Sequence, residues 1–153
     1  MTYESLLLEA DQLGVYTVEM DMGSALKGLY ADEVICINQN IKSSIEKATI
    51  LAEEIGHHLT TVGDILDQRK VDNRKQERRA RAWAYIKLVP LSKIVQAYEN
   101  GARTRYDLAE YLNVTDSFLC EAIKYHQEKH GIQTTYRNYI IRLNPLKIKR
   151  IKT

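Results

Sequence analysis

The 153-residue chain has little of what breaks, bridges or anchors a fold. Two prolines and seven glycines argue against a disordered tract or a long flexible linker. Its two cysteines, Cys36 and Cys120, lie far apart with no CxxC spacing. That suits reduced, buried thiols better than a disulfide scaffold or a zinc ribbon. No apolar stretch approaches the roughly 20 residues needed to cross a bilayer. The start of the chain shows no basic segment followed by an apolar one, so no signal peptide is expected and the expected address is the cytoplasm.

What is present is the balance of a globular domain, 44% hydrophobic and 27% charged, with length for one sizeable core. The net charge of +2 hides an asymmetry. Through Glu54 there are ten Asp and Glu against three Lys and Arg, which leaves 19 basic and ten acidic residues for the remainder. The basic residues gather between Arg69 and Arg81 and in the tail at Lys147, Lys149, Arg150 and Lys152. A basic half can attract nucleic acid or an acidic partner, although a solvated helix face and a soluble tail explain it equally well.

Periodicity predicts a helix from Glu4 to Leu13 ended by Gly14, then a short strand from Val15 to Met20. Gly28 to Tyr30 and Glu33 to Asn38 read as a hairpin that turns at Ala31-Asp32. Ser43 or Ser44 caps a central helix in which Ile45, Ala48, Leu51, Ala52 and Ile55 form one apolar face. A second long helix is expected from Arg74 to about Leu88, before Pro90. Three more follow: Ser92 to Glu99, Arg105 to Leu112 capped by Thr104, and Phe118 to Lys129 capped by Asp116 or Ser117 and closed by Gly131. Tyr136 to Leu143 reads as a late strand. The outline is an α+β fold in one domain over 1–153. Sheet and central helix occupy 1–68, a helical half 69–131, and the late strand with a basic tail 132–153.

The chemistry lies on the central helix, in Glu53-Glu54-Ile55-Gly56-His57-His58. Glu53 and His57 are four residues apart and project from one helix face, as the two metal ligands of an H-E-x-x-H helix do. Glu54 follows the first ligand position, where that pattern places the general base that takes a proton from a metal-bound water. Here Glu53 stands in place of the first histidine. A carboxylate is a legitimate zinc ligand, but it makes the bound water less acidic and shifts preference towards a harder ion such as manganese. The alternative register of Glu54 with His58 puts Ile55 where the base belongs. Glu77, near the start of the second long helix, is the best candidate third ligand; small Ala80 and Ala84 would let that helix approach closely. Asp64 and Asp67 are weaker alternatives. The plain alternative is a solvated acidic surface, a satisfied histidine pair and surface ion pairs that contribute little.

With these residues in place the chain resembles the ImmA/IrrE metallopeptidases of phages, mobile elements and stress-response loci. The resemblance rests on Ile50 to Thr60, where that family shows H-E-x-G-H, and on Asn73-Arg74-Lys75-Gln76-Glu77 with Ala80, Trp83 and Ala84. Asn144-Pro145-Leu146 and its surroundings add a weak further likeness. The resemblance implies a compact zincin-like fold with His57 and Glu77 as zinc ligands and Glu54 as general base; Glu53, the departure from the pattern, would be a carboxylate ligand, with His58 and Asp64 secondary. It implies a metal-dependent endopeptidase in a bacterial host's cytoplasm, cleaving a helix-turn-helix repressor of a phage or mobile element. No residue is selected as oxyanion stabiliser, although Tyr136, Tyr139 and His130 are available.

A competing reading comes from 104–130, which has a helix-turn-helix cadence: Leu108, Ala109 and Leu112 pack one helix, Val114 the turn, and Phe118, Ala122 and Ile123 the next. That second helix opens with Asp116, Ser117, Glu121 and Lys124, a poor and partly acidic set for reading bases. Direct nucleic-acid binding is therefore not expected, and the alternative to an enzyme is a binding module that docks a repressor, or DNA through this helix-turn-helix-like segment, with an inactive metal site.

Overall fold

The structure, a computed structural model, describes residues 1–60 and 70–152, with the backbone alone for residues 70–73. It is a mixed α+β fold in two compact units, Met1–Lys87 and Leu88–Thr153.

The first unit runs α1 (Tyr3–Gln12), β1 (Tyr16–Met20), β2 (Gly28–Ala31), β3 (Val34–Asn38), α2 (Ser44–Thr60) and then α3 (Lys70–Leu88), which reaches the boundary between units. Its sheet has the order β1-β3-β2, with β3 parallel to β1 and antiparallel to β2. β2 is thus an edge strand. The β2–β3 turn falls on Asp32-Glu33, one residue later than expected. Both residues have positive φ, 49° and 65°, the conformation of a two-residue turn whose twist matches the strands. Ile35 and Ile37 point from the central strand into a core shared with Leu51, Ala52 and Ile55 of α2, all fully buried. Each large aliphatic side chain buried there contributes roughly 1.5–3 kcal/mol. Ser43 starts α2, its hydroxyl accepting the Glu46 amide at 3.2 Å. α3 begins four residues before the expected Arg74.

The second unit runs α4 (Leu91–Glu99), α5 (Arg105–Leu112), α6 (Asp116–His130), β4 (Gln133–Tyr136), β5 (Tyr139–Leu143) and β6 (Leu146–Arg150). Thr104 and Asp107 form a reciprocal capping box at the start of α5, and Asn113 ends that helix in the left-handed conformation. The cap of α6 is Thr115, which accepts the Phe118 amide at 3.1 Å; Asp116 and Ser117 are already helical. His126 is buried, and its Nε2–H donates to the Val89 carbonyl at 2.6 Å.

The end of the chain departs most from expectation. One strand and a tail are instead a three-stranded antiparallel sheet, β4-β5-β6. Arg137, with φ 51°, reverses the chain between β4 and β5, so Tyr136 and Tyr139 pair across a turn rather than lie on one strand. The expected tail supplies β6, because Leu146 and Ile148 alternate with Lys147 and Lys149 and turn one face inwards.

Back in the first unit, Gly56 faces Ala80. A Cβ added at Gly56 would overlap the Ala80 carbonyl oxygen and lie 3.0 Å from its carbon. Gly56→Ala gains about 1 kcal/mol of helix propensity but must push two backbones apart, which costs roughly 1–3 kcal/mol. We expect a net loss on the order of 1 kcal/mol, read as a lower urea midpoint at unchanged slope; a raised midpoint would contradict the close approach.

Candidate functional site

The last two turns of α2 carry Glu53, Glu54, His57 and His58, and α3 carries Glu77. On α3, Glu77 stands three residues before Ala80 and so lies on the same face. The contact of Gly56 with Ala80 therefore draws together their neighbours: His57 Nε2 lies 3.2 Å from Glu77 Oε1, a half-exposed carboxylate against a mostly covered imidazole. This is a direct contact between two of the expected site residues.

Glu54 faces the sheet. A Cβ at Gly28 would come within 3.1 Å of Glu54 Oε1 and 2.7 Å of Ile50 Cγ2, so the missing side chain is what lets β2 lie against this part of α2. Two residues along the strand, the Tyr30 hydroxyl meets His58 Nδ1 at 2.8 Å, with the rings edge to face. A two-residue strand step of about 6.6 Å matches a four-residue helix step of about 6 Å. Gly28 and Tyr30 consequently keep register with Glu54 and His58. Neither Gly28 nor Tyr30 was singled out as a site residue from the sequence; a glycine followed two residues later by tyrosine on a strand of the expected hairpin was the available signal.

Burial raises the Glu54 carboxyl first of all, and the negative charges of Glu53 and then Glu77 raise it further, up to about 7. Glu54 is therefore poised between acid and base near neutrality, the condition under which a carboxylate both takes and returns a proton. Glu53 acts on it through its charge and has interactions of its own. Asp64 and Asp67 lie outside the described residues. His57 and Glu77 are chemically suited to share a divalent ion, a neutral imidazole with a carboxylate. Among the described residues, however, no group of three or more His, Cys, Asp or Glu is arranged to hold a metal ion.

The sequence pattern of the Peptidase_M78 family, the IrrE N-terminal-like domain, matches residues 10–124. The chain belongs to this family. Peptidase_M78 members are metal-dependent peptidases, and the α+β fold with its helix-borne Glu54 and His57 is consistent with a small zincin-like domain. Among solved structures, a Mycobacterium tuberculosis transcriptional regulator is similar at 19% identity with a TM-score of 0.59. The match covers 97% of this chain and 49% of that one, so this chain spans about half the length of that structure, and the likeness is one of fold. A search of the curated proteins finds no match. Among the described residues, no helix is long and apolar enough to cross a membrane.

The raised Glu54 carboxyl has a consequence for stability. Between its unfolded value of 4.5 and its folded value of about 7, the folded chain keeps a proton that the unfolded chain releases. Stability from this group is thus complete below about pH 4.5 and falls as pH rises to about 7. In protein stripped of divalent ions, Glu54→Gln should match the parent near pH 4 and exceed it at pH 8 by an amount on the order of 3 kcal/mol. Thermal unfolding across that range measures the difference; a pH-independent gap would show that Glu54 is not held protonated.

Proposed function

We propose that this Peptidase_M78 member is a metal-dependent endopeptidase whose site is Glu54, His57 and Glu77, with Glu53 as the third metal ligand. The observation that carries the reading is the 3.2 Å approach of His57 to Glu77 beside a carboxyl held near neutrality. His57 and Glu77 supply two donors from two helices, and Glu53 stands four residues before His57 on α2, the spacing that places two side chains on one helix face. A zinc or manganese ion bound there would supply Lewis-acid activation of water and of the scissile carbonyl.

The chain's own residues do the rest. Glu54 takes a proton from the attacking water and hands it to the leaving amine, which its position near neutrality suits. In the metal-free chain the charges of Glu53 and Glu77 raise that proton affinity, and a cation held by them would lower it. The Tyr30 bond fixes the His58 ring beside the strand, which leaves His58 as a secondary ligand at most. By the family resemblance, the substrate we propose is a helix-turn-helix repressor of a phage or mobile element, cleaved in the bacterial cytoplasm.

Metal uptake and cleavage together test the proposal. Purified protein should bind close to one zinc or manganese, and Glu54→Gln should lose cleavage by a factor of at least about 100 while keeping the ion and the fold. Glu53→His should bind zinc at least as tightly at the same stoichiometry. Failure to take up either ion at saturating concentration rejects the enzyme and leaves a repressor-docking module.

A further inference from the structure

The sheet of the second unit has two unlike faces. One packs inwards through Tyr139, Ile141 and Leu143 against the helices of its own unit. The other carries Gln133 and Thr135 of β4, Ile140 and Arg142 of β5, and Lys147 and Lys149 of β6. Cross-strand register aligns Gln133, Arg142 and Lys147 in one row and Thr135, Ile140 and Lys149 in the next. All but the half-buried Ile140 are exposed. No Asp or Glu follows Glu128 in the chain. Among the described residues, no carboxylate is ion-paired with Arg142, Lys147 or Lys149.

We infer that this outward sheet face binds the phosphate backbone of duplex nucleic acid. Five of its six positions are the residue types that contact phosphates: arginine, lysine, threonine and glutamine. An acidic protein would instead be expected to meet an apolar centre with few lysines, and Ile140 is the single apolar residue here. The sheet directly follows α5 and α6, two helices joined through the left-handed Asn113 in a helix-turn-helix. At the β6 edge Lys147 lines a cavity of about 280 Å³ with Arg103 and Arg105; Arg105 is ion-paired with Asp116 at 2.9 Å, so Arg103 and Lys147 carry the positive charge there. The exposed acids of α6, Asp116, Glu121 and Glu128, oppose its entry into a groove. Binding is therefore through backbone charge and tolerant of sequence.

Fluorescence anisotropy of a labelled 20-base-pair duplex with the full chain tests this. Three phosphate contacts give a log–log salt slope of about −2.7, so affinity should fall at least about 40-fold between 50 and 200 mM monovalent salt. Replacing Arg142, Lys147 and Lys149 together by glutamine should flatten the slope by about 2.7, leave circular dichroism unchanged and give a Tm no lower than the native one. Two duplexes of unrelated sequence should bind within about threefold of each other. The inference is overturned if the native chain does not bind at 50 mM salt, or if the triple variant binds with the native slope. It is equally overturned if Lys75→Gln, Arg78→Gln and Arg79→Gln on α3 weaken binding as much, or if poly-glutamate of matched charge competes as well as unlabelled duplex. Should the triple variant lose its fold, charge-conserving Arg142→Lys must retain the native slope for the inference to stand.

Discussion

The contact of Gly56 with the Ala80 backbone sets the distance between α2 and α3, and the chemistry of the first unit depends on that distance. Side chains of ordinary size would hold two helices roughly 8–10 Å apart. Removing the Cβ at Gly56 and keeping a methyl at Ala80 brings them close enough for a carboxylate on one to reach an imidazole on the other. The same glycine that costs about 1 kcal/mol of helix propensity thus positions His57 against Glu77. Gly28 does the equivalent on the opposite side of α2, admitting the edge strand against Glu54. Two absent side chains define where the helix can sit.

Placing acidic groups so close together has an electrostatic cost that falls on Glu54. Glu54 is half-buried, and its burial together with the charges of Glu53 and Glu77 raises its proton affinity. A site of this kind is unstable to ionisation and stabilised by a cation or a proton, whichever is available. That links the fold's stability to the occupancy of its own site, and it gives Glu54 a protonation state that responds to what binds beside it.

Much of this was legible in the sequence, because it is local. The spacing of Glu53, Glu54 and His57 fixes a shared helix face whatever the tertiary structure, and the Thr104–Asp107 box announces its helix by side-chain chemistry alone. Glu77 was reached through the small residues that follow it, a packing argument that the Gly56–Ala80 contact supports. What escaped depended on register between elements. The pairing of Tyr30 with His58 follows from how β2 lies along α2, which no spacing within either segment reveals. Thr115 takes the cap because α6 starts at Asp116 itself, the more obvious acidic candidate.

The terminal sheet escaped for a different reason. A strand with lysine at every second position resembles a soluble tail until a neighbouring strand shows that its other positions face a core. Once β5 pairs with β6, Leu146 and Ile148 are committed inwards, and Lys147 and Lys149 are committed to the opposite face beside Arg142. Charges that would repel and spread apart on a flexible tail are then held side by side on paired strands. Like charges in cross-strand register destabilise a sheet in the absence of a counter-charge. Arg142 opposite Lys147 is such a pair, and the core beneath it must offset the repulsion. With no Asp or Glu following Glu128 in the sequence to relieve the repulsion, a counter-anion at this face would stabilise the sheet.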